Sequence, residues 1–311
     1  MSVRAPVPDF AGRPDFDSIS QVEGGEARIA GSALAMGARV FVENRLAVAG
    51  LVVVVFMFAF CFIGPLLYRT NQINTDIYNL TAPPSPQHLL GTDSLGYDVL
   101  GRLMAGGQTS LEIGLIAAVL ATTFGVIWGA VAGFVGGWLD QVMMRIVDSL
   151  LAIPTLFLLL VLAAMFTPSV PMLILIVALV AWLIPARLIR GETLSLRTRE
   201  YVDAVRVMGG SGARIVLRHI IPNTIGTIMV NATFQVADAI LAIAALSFLG
   251  LGVPPPSTNW GAMLSDGVSY SFEGYWWLIY PAGLAIVITV VAFNLIGDAM
   301  RDAFEVRLQK R

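Results

Sequence analysis

The sequence predicts an all-α membrane protein built as a bundle of six transmembrane helices. The chain is 57% hydrophobic and only 13% charged, whereas soluble chains are about half apolar and about a quarter charged. Its apolar residues gather into six runs, each close to the roughly 20 residues that cross a hydrocarbon core. Its arginines gather beside alternate runs, which is typical of a chain that crosses a membrane repeatedly.

The predicted spans follow one another without an embedded soluble domain. Residues 1–40 are rich in Pro, Gly, Asp and Ala and lack the apolar region of a secretory signal. We therefore expect a cytoplasmic tail without a fixed structure there, followed by a transmembrane domain over residues 41–311. The predicted spans are residues 46–67, 109–135, 149–166, 172–189, 225–249 and 277–296.

The placement of arginine predicts that both termini face the cytoplasm. Arginines precede the first span, separate the second from the third, follow the fourth and follow the sixth, whereas the opposite loops hold only Arg69 and Arg102. Basic residues are enriched on the cytoplasmic side of membrane proteins, so the arginine-rich loops are assigned to that side. An aromatic cluster near Trp277 lies at the predicted outer end of the sixth span, where interfacial aromatic residues are expected.

In the second span, a stripe of small residues predicts a tight helix contact. Gly125, Gly129 and Gly133 recur every four residues and therefore lie on one helix face. Small residues let two helix backbones approach closely in lipid, where burial of apolar surface gives no drive for association. We expect this face to pack against another helix, with a helix of a second subunit as one candidate, although chance placement in a glycine-rich chain is the alternative.

A polar face on the fifth span predicts a functional role within the membrane. Asn231, Gln235 and Asp238 are spaced by three and four residues, so they share one face with Thr224 and Thr227. A carboxylate near the centre of a bilayer costs about 2.5–3.5 kcal/mol on insertion scales. This face is expected to line a substrate path, and an internal hydrogen-bonded network that holds helices together is the alternative.

Between the fourth and fifth spans, a charged segment interrupts the apolar chain. We call residues 190–222 the polar segment. Residues 195–208 lack Gly and Pro and predict a helix that ends at Gly209. Ser211 can cap a second short helix, and Pro222 ends it. The spacing alone is equally consistent with an ordinary basic loop and with a rigid element that contacts a soluble partner.

The sequence lacks the residue patterns that an ATP-binding loop or a metal site would require. The single lysine, Lys310, lies at the end of the chain, so a Gly-rich ATP-binding loop with its G-K-[ST] lysine is excluded. His88 and His219 are far apart in sequence, and no His, Cys, Asp or Glu group has the spacing of metal ligands. We therefore expect no catalytic residues, no metal site and no cofactor bound by this chain.

Four separate segments carry a family resemblance. In the polar segment, Asp203-Ala204-Val205, then Gly209, then Ile221-Pro222 resembles the E-A-A-x3-G-x9-I-x-L-P loop of ABC importer permeases. Residues 88–103, H-L-L-G-T-D-S-L-G-Y-D-V-L-G-R-L, are similar to the H-x-L-G-T-D-x-x-G-R-D-V-L-S-R-L segment of C-type permease subunits of dipeptide, oligopeptide and nickel ABC importers. Residues 246–266 and 292–302 are similar to two later segments of that family, and the resemblance runs from about residue 40 to the end.

This resemblance implies a type I ABC importer permease in a bacterial inner membrane, crossing it several times. It implies four kinds of partner: a homologous B-type permease subunit, two ATP-hydrolysing nucleotide-binding domains that hold the ATP and Mg²⁺, an extracytoplasmic substrate-binding protein and membrane lipid, with no nucleic acid. In the family the polar segment docks on the ATPase. The residues that this docking assigns here are Glu200, Asp203, Ala204, Met208, Gly209 and Pro222.

Dipeptides and oligopeptides are the substrates that the resemblance favours. Nickel chelates and haem are carried by the same scaffold and remain alternatives. A secondary transporter driven by protons or sodium is a more distant alternative, in which Asp238 would relay the ion. Tyr97, which stands where the family usually has Arg, leaves open how the outer loop meets a binding protein.

Overall fold

A computed structural model describes residues 41–309, with side chains described up to residue 304. The predicted cytoplasmic tail, residues 1–40, lies outside the described residues. Within the described range the chain is helical and forms no β-strand; the one β-bridge there pairs Thr92 with Asp98. The all-α prediction is confirmed for this part of the chain.

Twelve α-helices are defined over the described range. They are α1 Arg45–Phe62, α2 Gly64–Leu67, α3 Val99–Val135, α4 Gly137–Leu151, α5 Thr155–Met165, α6 Val170–Ala181, α7 Leu183–Leu196, α8 Glu200–Val207, α9 Gly212–Ile215, α10 Ile225–Phe248, α11 Trp260–Val268 and α12 Tyr280–Gln309. A π-helical turn, Val216–Ile220, follows α9, and 3₁₀ turns occupy Ile221–Asn223, Ser271–Glu273 and Trp276–Leu278.

Five helical stretches are long and apolar enough to cross a membrane. These stretches are Arg45–Phe62, Val99–Val135, Val170–Leu196, Ile225–Phe248 and Trp276–Phe304. A sixth span exists if α4 and α5 are counted together, because this pair passes the same test as one bent unit. The described residues therefore contain five or six candidate spans, in line with the predicted bundle.

The third predicted span, residues 149–166, differs most from the structure. Here α4 and α5 are separate helices that are bent by 87° at a short break. Pro154 forms the N-cap of α5, and a proline has no N–H to donate to a continuing helix. The predicted span therefore contains the end of α4, a bend and the whole of α5.

Helix α3 also begins earlier than the apolar run from residue 109 indicates. The Asp98 side chain caps α3 by accepting a hydrogen bond of 2.8 Å from the Gly101 N–H. The first turns of α3 are buried beside the outer loop and α11, so they need no lipid-facing apolar surface. A hydropathy criterion misses such turns, because it detects only the part of a helix that lies in hydrocarbon.

The bundle is organised around α3. This helix packs against α7, α10, α6 and α1, while α12 packs against α10 and α1 on the other side. The fully buried Trp260 of α11 donates a 2.9 Å hydrogen bond from Nε1 to the Leu103 oxygen of α3. This bond satisfies the indole N–H inside the core.

The loop between α2 and α3 is folded by its own hydrogen bonds. Its backbone pairs Thr81 N with Asp93 O and Thr92 N with Ala82 O, both at 2.9 Å. Asp98 anchors the end of this loop, because its Oδ2 accepts from the Tyr68 hydroxyl at 2.9 Å and lies 3.0 Å from His88 Nδ1. His88 is thus held by a carboxylate at the entrance to α3.

Candidate functional sites: the polar segment and a transmembrane cavity

Helix α8 of the polar segment is short and sharply terminated. Gly209 has φ +81°, in the left-handed region that favours glycine. Its N–H donates to the Arg206 oxygen at 3.0 Å, and the Gly210 N–H donates to the Val205 oxygen at 2.9 Å. This pair of bonds is the Schellman motif, which closes the carbonyl end of a helix. Helix α8 therefore ends at the predicted glycine, which adopts the left-handed conformation that closes it.

The next short helix, α9, begins at the predicted cap. The Ser211 hydroxyl accepts a 3.3 Å hydrogen bond from the Arg214 N–H. The helical stretch predicted over residues 195–208 is interrupted, however, because α7 ends at Leu196 and α8 begins only at Glu200. The polar segment therefore comprises the end of α7, the short helices α8 and α9, the π-helical turn Val216–Ile220 and the start of the 3₁₀ turn Ile221–Asn223.

One side of α8 is buried against the rest of the polar segment, and the other side is exposed. Val202 is fully buried and packs with Ile215 and Ile220, which fixes α8 against the segment that follows. All six residues that the family resemblance assigns to docking are exposed. They are Glu200, Asp203, Ala204, Met208, Gly209 and Pro222. At the end of α8, Val207 is 88% and Met208 is 77% exposed.

The glycine stripe of α3 lies against α7 of the same chain. A Cβ added at Gly125 would lie 2.7 Å from the Trp182 oxygen, and one at Gly133 would lie 2.8 Å from the Thr193 Cβ. At Gly129 the clash would be with the backbone oxygen of Ala186. The two backbones are therefore in direct contact along the stripe, and the second subunit considered from the sequence is not its partner here.

Ion pairs connect α7 to α4. Arg190 donates from Nε to Asp140 Oδ1 and from Nη2 to Asp140 Oδ2, both at 2.7 Å. Arg187 donates to Asp148 at 2.5 Å, but both of these side chains are more than half exposed. The bidentate pair is the stronger link, since its two parallel bonds fix the geometry and Asp140 is largely buried.

These ionic contacts were not predicted from the sequence. From the sequence, Arg187 and Arg190 are cytoplasmic residues of the charged stretch after the fourth span, and no side-chain partner is indicated for either. Arg197 has a further role, because its Nη1 donates a 2.8 Å hydrogen bond to the Gly133 oxygen at the end of α3. The sequence does show opposite charges in two separate polar stretches, and these could have suggested ion pairs. Which residues pair depends on the helix register, which the close contact of α3 with α7 sets.

On the polar face of α10, side chains divide between two roles. The Thr227 hydroxyl donates to Glu192 Oε1 of α7, and the Gln235 Nε2 donates to the Ala181 oxygen of α6 at 2.7 Å. Asn231 lies between them, and its Oδ1 is buried without a hydrogen-bond partner in the described part of the chain. Thr227 and Gln235 therefore join α10 to α7 and α6. This is the role that the sequence offered as the alternative to a substrate path.

Asp238 lies on the same face but lines a cavity. The cavity has a volume of about 300 Å³ and lies where α5, α6 and α10 meet the bend after α4. Most of its wall is apolar and includes Leu158 and Val177, while its polar side chains are Thr155, Gln235 and Asp238. Asp238 is exposed and has no hydrogen bond or ion pair among residues 41–304.

Helix α4 connects the ionic contact to the cavity. Asp140 lies in its first turn, and Leu150 and Leu151 at its last turn belong to the cavity wall. If α7 is displaced, Arg190 moves with it and pulls on α4 through Asp140. The other end of α4 borders the cavity. Within residues 41–309 no group of three His, Cys, Asp or Glu side chains could hold a metal ion.

Comparison with known proteins identifies the family. Residues 125–310 match the family model described as binding-protein-dependent transport system inner membrane component. Residues 32–84 match the N-terminal TM domain of oligopeptide transport permease C. The first match covers more than half of the chain.

Relatives agree with the family models over most of the chain. The oligopeptide transport system permease protein OppC of Bacillus subtilis is 40% identical over 270 residues, covering 87% of this chain and 88% of that protein. The dipeptide transport system permease protein DppC of the same organism is 37% identical over 268 residues, covering 86% and 84%. OppC of Haemophilus influenzae is 39% identical over 269 residues, covering 86% of each chain.

Fold and matches together define a polytopic membrane transport component. The chain belongs to the binding-protein-dependent permease family of ABC importers, in the branch that contains the OppC and DppC permeases. This result confirms the resemblance that four sequence segments carry. It also confirms the predicted type I importer permease fold.

Proposed function

We propose that this chain is the permease subunit of an ABC importer that carries short peptides into the cytoplasm. The related proteins described above are named for oligopeptide or dipeptide transport, which favours peptides over nickel chelates or haem. The chain contributes half of a transmembrane path, and a homologous B-type permease contributes the other half. An extracytoplasmic binding protein delivers the peptide, and two nucleotide-binding domains hold ATP and Mg²⁺. The chain itself binds no cofactor and performs no catalysis.

One structural observation carries the mechanism: α4 is ion-paired to α7 at one end and borders the cavity at the other. The exposed end of α8, at Met208 and Gly209, receives the ATPase. Helix α7 passes the displacement to α3 through the glycine stripe and to α4 through Arg190. A flexible loop would absorb such a displacement, whereas helices in backbone contact move as one body.

The energetic requirement is a difference between two states of the bundle. A nucleotide-binding domain shifts the equilibrium between inward-facing and outward-facing states only if it binds the two states unequally. ATP-driven closure of the two ATPase domains draws the polar segments together and favours the outward-facing state. Hydrolysis then restores the inward-facing state, and the peptide leaves toward the cytoplasm past Asn231, Gln235 and Asp238.

In the membrane, both termini and the polar segment are assigned to the cytoplasmic side of a bacterial inner membrane. Two features support this orientation: the arginine distribution, and the even number of spans that results when α4 and α5 are counted as one span. The exposed docking residues then face the compartment that supplies ATP. The loop between α2 and α3 faces the binding protein on the opposite side.

Reconstitution tests the proposed function. The chain is purified with its partner permease and ATPase subunits, placed in liposomes, and supplied with binding protein and a labelled tripeptide on one side and ATP on the other. We expect peptide accumulation that requires both ATP and the ATPase subunits. Peptide uptake by this chain alone, or ATP-dependent uptake of a nickel chelate or haem but not of peptide, would overturn the proposal.

A further inference from the structure

The cavity beside α10 contains one charged side chain and no counter-charge. Among the residues that line it, Asp238 is the only ionisable group. Its neighbours on the same helix face, Thr227 and Gln235, are engaged with α7 and α6, whereas Asp238 has no polar partner in the described part of the chain. A carboxylate that only joined helices would be bonded as these neighbours are, so Asp238 is available to a ligand.

We infer that Asp238 receives the cationic group of the transported peptide as it passes through this cavity. The inference rests on the proposed function, because it names the part of the peptide that this site takes. The cation is either the terminal ammonium group or a basic side chain, since both present N–H donors with a positive charge to a carboxylate.

Size and lining of the cavity fit this role. Its volume of about 300 Å³ lies at the lower end of the roughly 300–1,000 Å³ typical of ligand sites. The apolar wall around Leu158, Val177 and Val180 can accept a peptide side chain of almost any apolar shape without a specific bond. A single fixed charge in an apolar wall orients a ligand by one end and leaves the rest unspecified, as a transporter of varied peptides requires.

A chemical test measures the charge preference of the cavity without any peptide. Cys61 is the only cysteine of the chain, so Cys61→Ala gives a background for a new cysteine at Ala242, which lines the cavity. Thr155→Cys provides a second position in the same wall. The assembled complex is treated with a trimethylammonium-bearing or a sulfonate-bearing methanethiosulfonate, and each rate is divided by the rate for a free small thiol.

We expect the cationic reagent to be preferred by about fivefold or more, the size that one nearby unit charge produces in a wet cavity. Asp238→Asn should abolish the preference, and Asp238→Glu should keep it. Equal rates for the two reagents in the wild-type background, at both cysteine positions, would overturn the inference. Failure of both cysteines to react would also overturn it, because the cavity would then be closed to hydrated ligands.

A transport test identifies the source of the cation. Initial uptake is measured for a neutral tripeptide with a free amino terminus and for an N-acetylated tripeptide that contains one lysine. Asp238→Asn should lower uptake of the recognised peptide by about tenfold or more through a higher KM, and Asp238→Glu should restore part of it. An effect on the first peptide alone assigns the terminal ammonium, and an effect on the second alone assigns the side chain.

Glu112→Gln is the matched control, because Glu112 is an exposed carboxylate of α3 that does not line the cavity. It should leave uptake of both peptides unchanged. Equal uptake by wild type and Asp238→Asn for both peptides would overturn the inference while leaving the proposed function intact. If the wild-type complex imports no peptide, the proposed function fails, and the reagent test still decides whether the cavity prefers cations.

Discussion

Arg190 and Asp140 form a two-bonded ion pair that joins α7 to α4, with both N–O distances at 2.7 Å. Helix α7 leads directly into the polar segment, and α4 leads to the wall of the Asp238 cavity. The pair therefore lies on one route between the two proposed functional sites, beside the direct route along α7, whose Leu183 and Ile184 also line the cavity. Its removal should weaken coupling more than folding.

Arg190→Gln should lower ATP-driven peptide uptake by about tenfold, which corresponds to about 1.4 kcal/mol of coupling. The physical reason is that α7 can then move without carrying α4. Uptake and ATP hydrolysis are measured on the same proteoliposomes, and hydrolysis should persist. Arg187→Gln serves as the control, because the Arg187 pair with Asp148 is more than half exposed and such pairs contribute little. Equal losses in the two variants would contradict the assigned role.

Gly129→Ala should destabilise the bundle, because a methyl group there would clash with the Ala186 backbone oxygen. Overpacking of this kind costs about 1–3 kcal/mol, which should lower the melting temperature of the purified complex. Gly191→Ala on α7 is the matched control, since a Cβ at Gly191 meets nothing within 4 Å. A variant at Gly129 that melts at the wild-type temperature would show that α3 and α7 can separate without cost.

Gly209→Val should uncouple ATP hydrolysis from uptake. The φ of +81° at Gly209 costs a side-chain-bearing residue about 1–2 kcal/mol, and a β-branched residue is the least able to adopt it. Gly209→Asn is the control, because Asn tolerates the left-handed conformation and can replace Gly at a helix end. We expect Asn to retain more uptake than Val. Equal loss in both would assign the effect to docking contacts and not to backbone shape.

Asp266→Asn should alter how stability depends on pH at the outer face. Burial raises the pKa of the Asp266 carboxyl above its ordinary value of 3.8, the Asp93 charge raises it further, and Arg102 opposes the shift. The folded protein therefore keeps this proton to a higher pH than the unfolded chain. Its stabilising contribution is complete below pH 3.8 and is lost as pH rises through the raised pKa.

The melting temperatures of wild type and Asp266→Asn are compared across this pH range. The variant should melt higher than wild type near neutral pH, and the difference should close as the pH falls. For Asp76→Asn the difference in melting temperature should have the opposite sign, because hydrogen bonds from Asn79 and Tyr78 lower the pKa of the Asp76 carboxyl. This variant should melt lower than wild type near neutral pH, and the difference should close as the pH falls. A difference between wild type and Asp266→Asn that stays constant with pH would contradict the role given to burial.

The sequence predicted the fold class and two helix boundaries of the polar segment more closely than the tertiary contacts. Gly209 and Ser211 marked helix boundaries correctly, because termination and capping depend on a few neighbouring residues. The Pro154 bend was missed, since an apolar run has the same hydropathy whether its helix is straight or broken. The partner of the glycine stripe and the pairing of Arg190 with Asp140 depend on helix register, which hydropathy does not encode.

For the polar face of α10, the sequence could not decide between a hydrogen-bonded network that joins helices and a lining of the substrate path. Helical spacing placed Thr227, Gln235 and Asp238 on one face, and they do share it. What each side chain meets depends on the neighbouring helices: α7 reaches Thr227 and α6 reaches Gln235, while the bend after α4 leaves space beside Asp238. The division of roles is a product of tertiary structure alone.

Site-directed crosslinking tests the central claim, that the end of α8 receives the ATPase, most directly. A photoreactive maleimide is attached to Met208→Cys, in the Cys61→Ala background, within the assembled complex. Tyr78→Cys, at a side chain of the outer loop that is 90% exposed, provides the comparison. The account predicts that Met208→Cys crosslinks to the ATPase subunit and Tyr78→Cys does not. Crosslinking of the ATPase from position 78 and not from position 208 would contradict it.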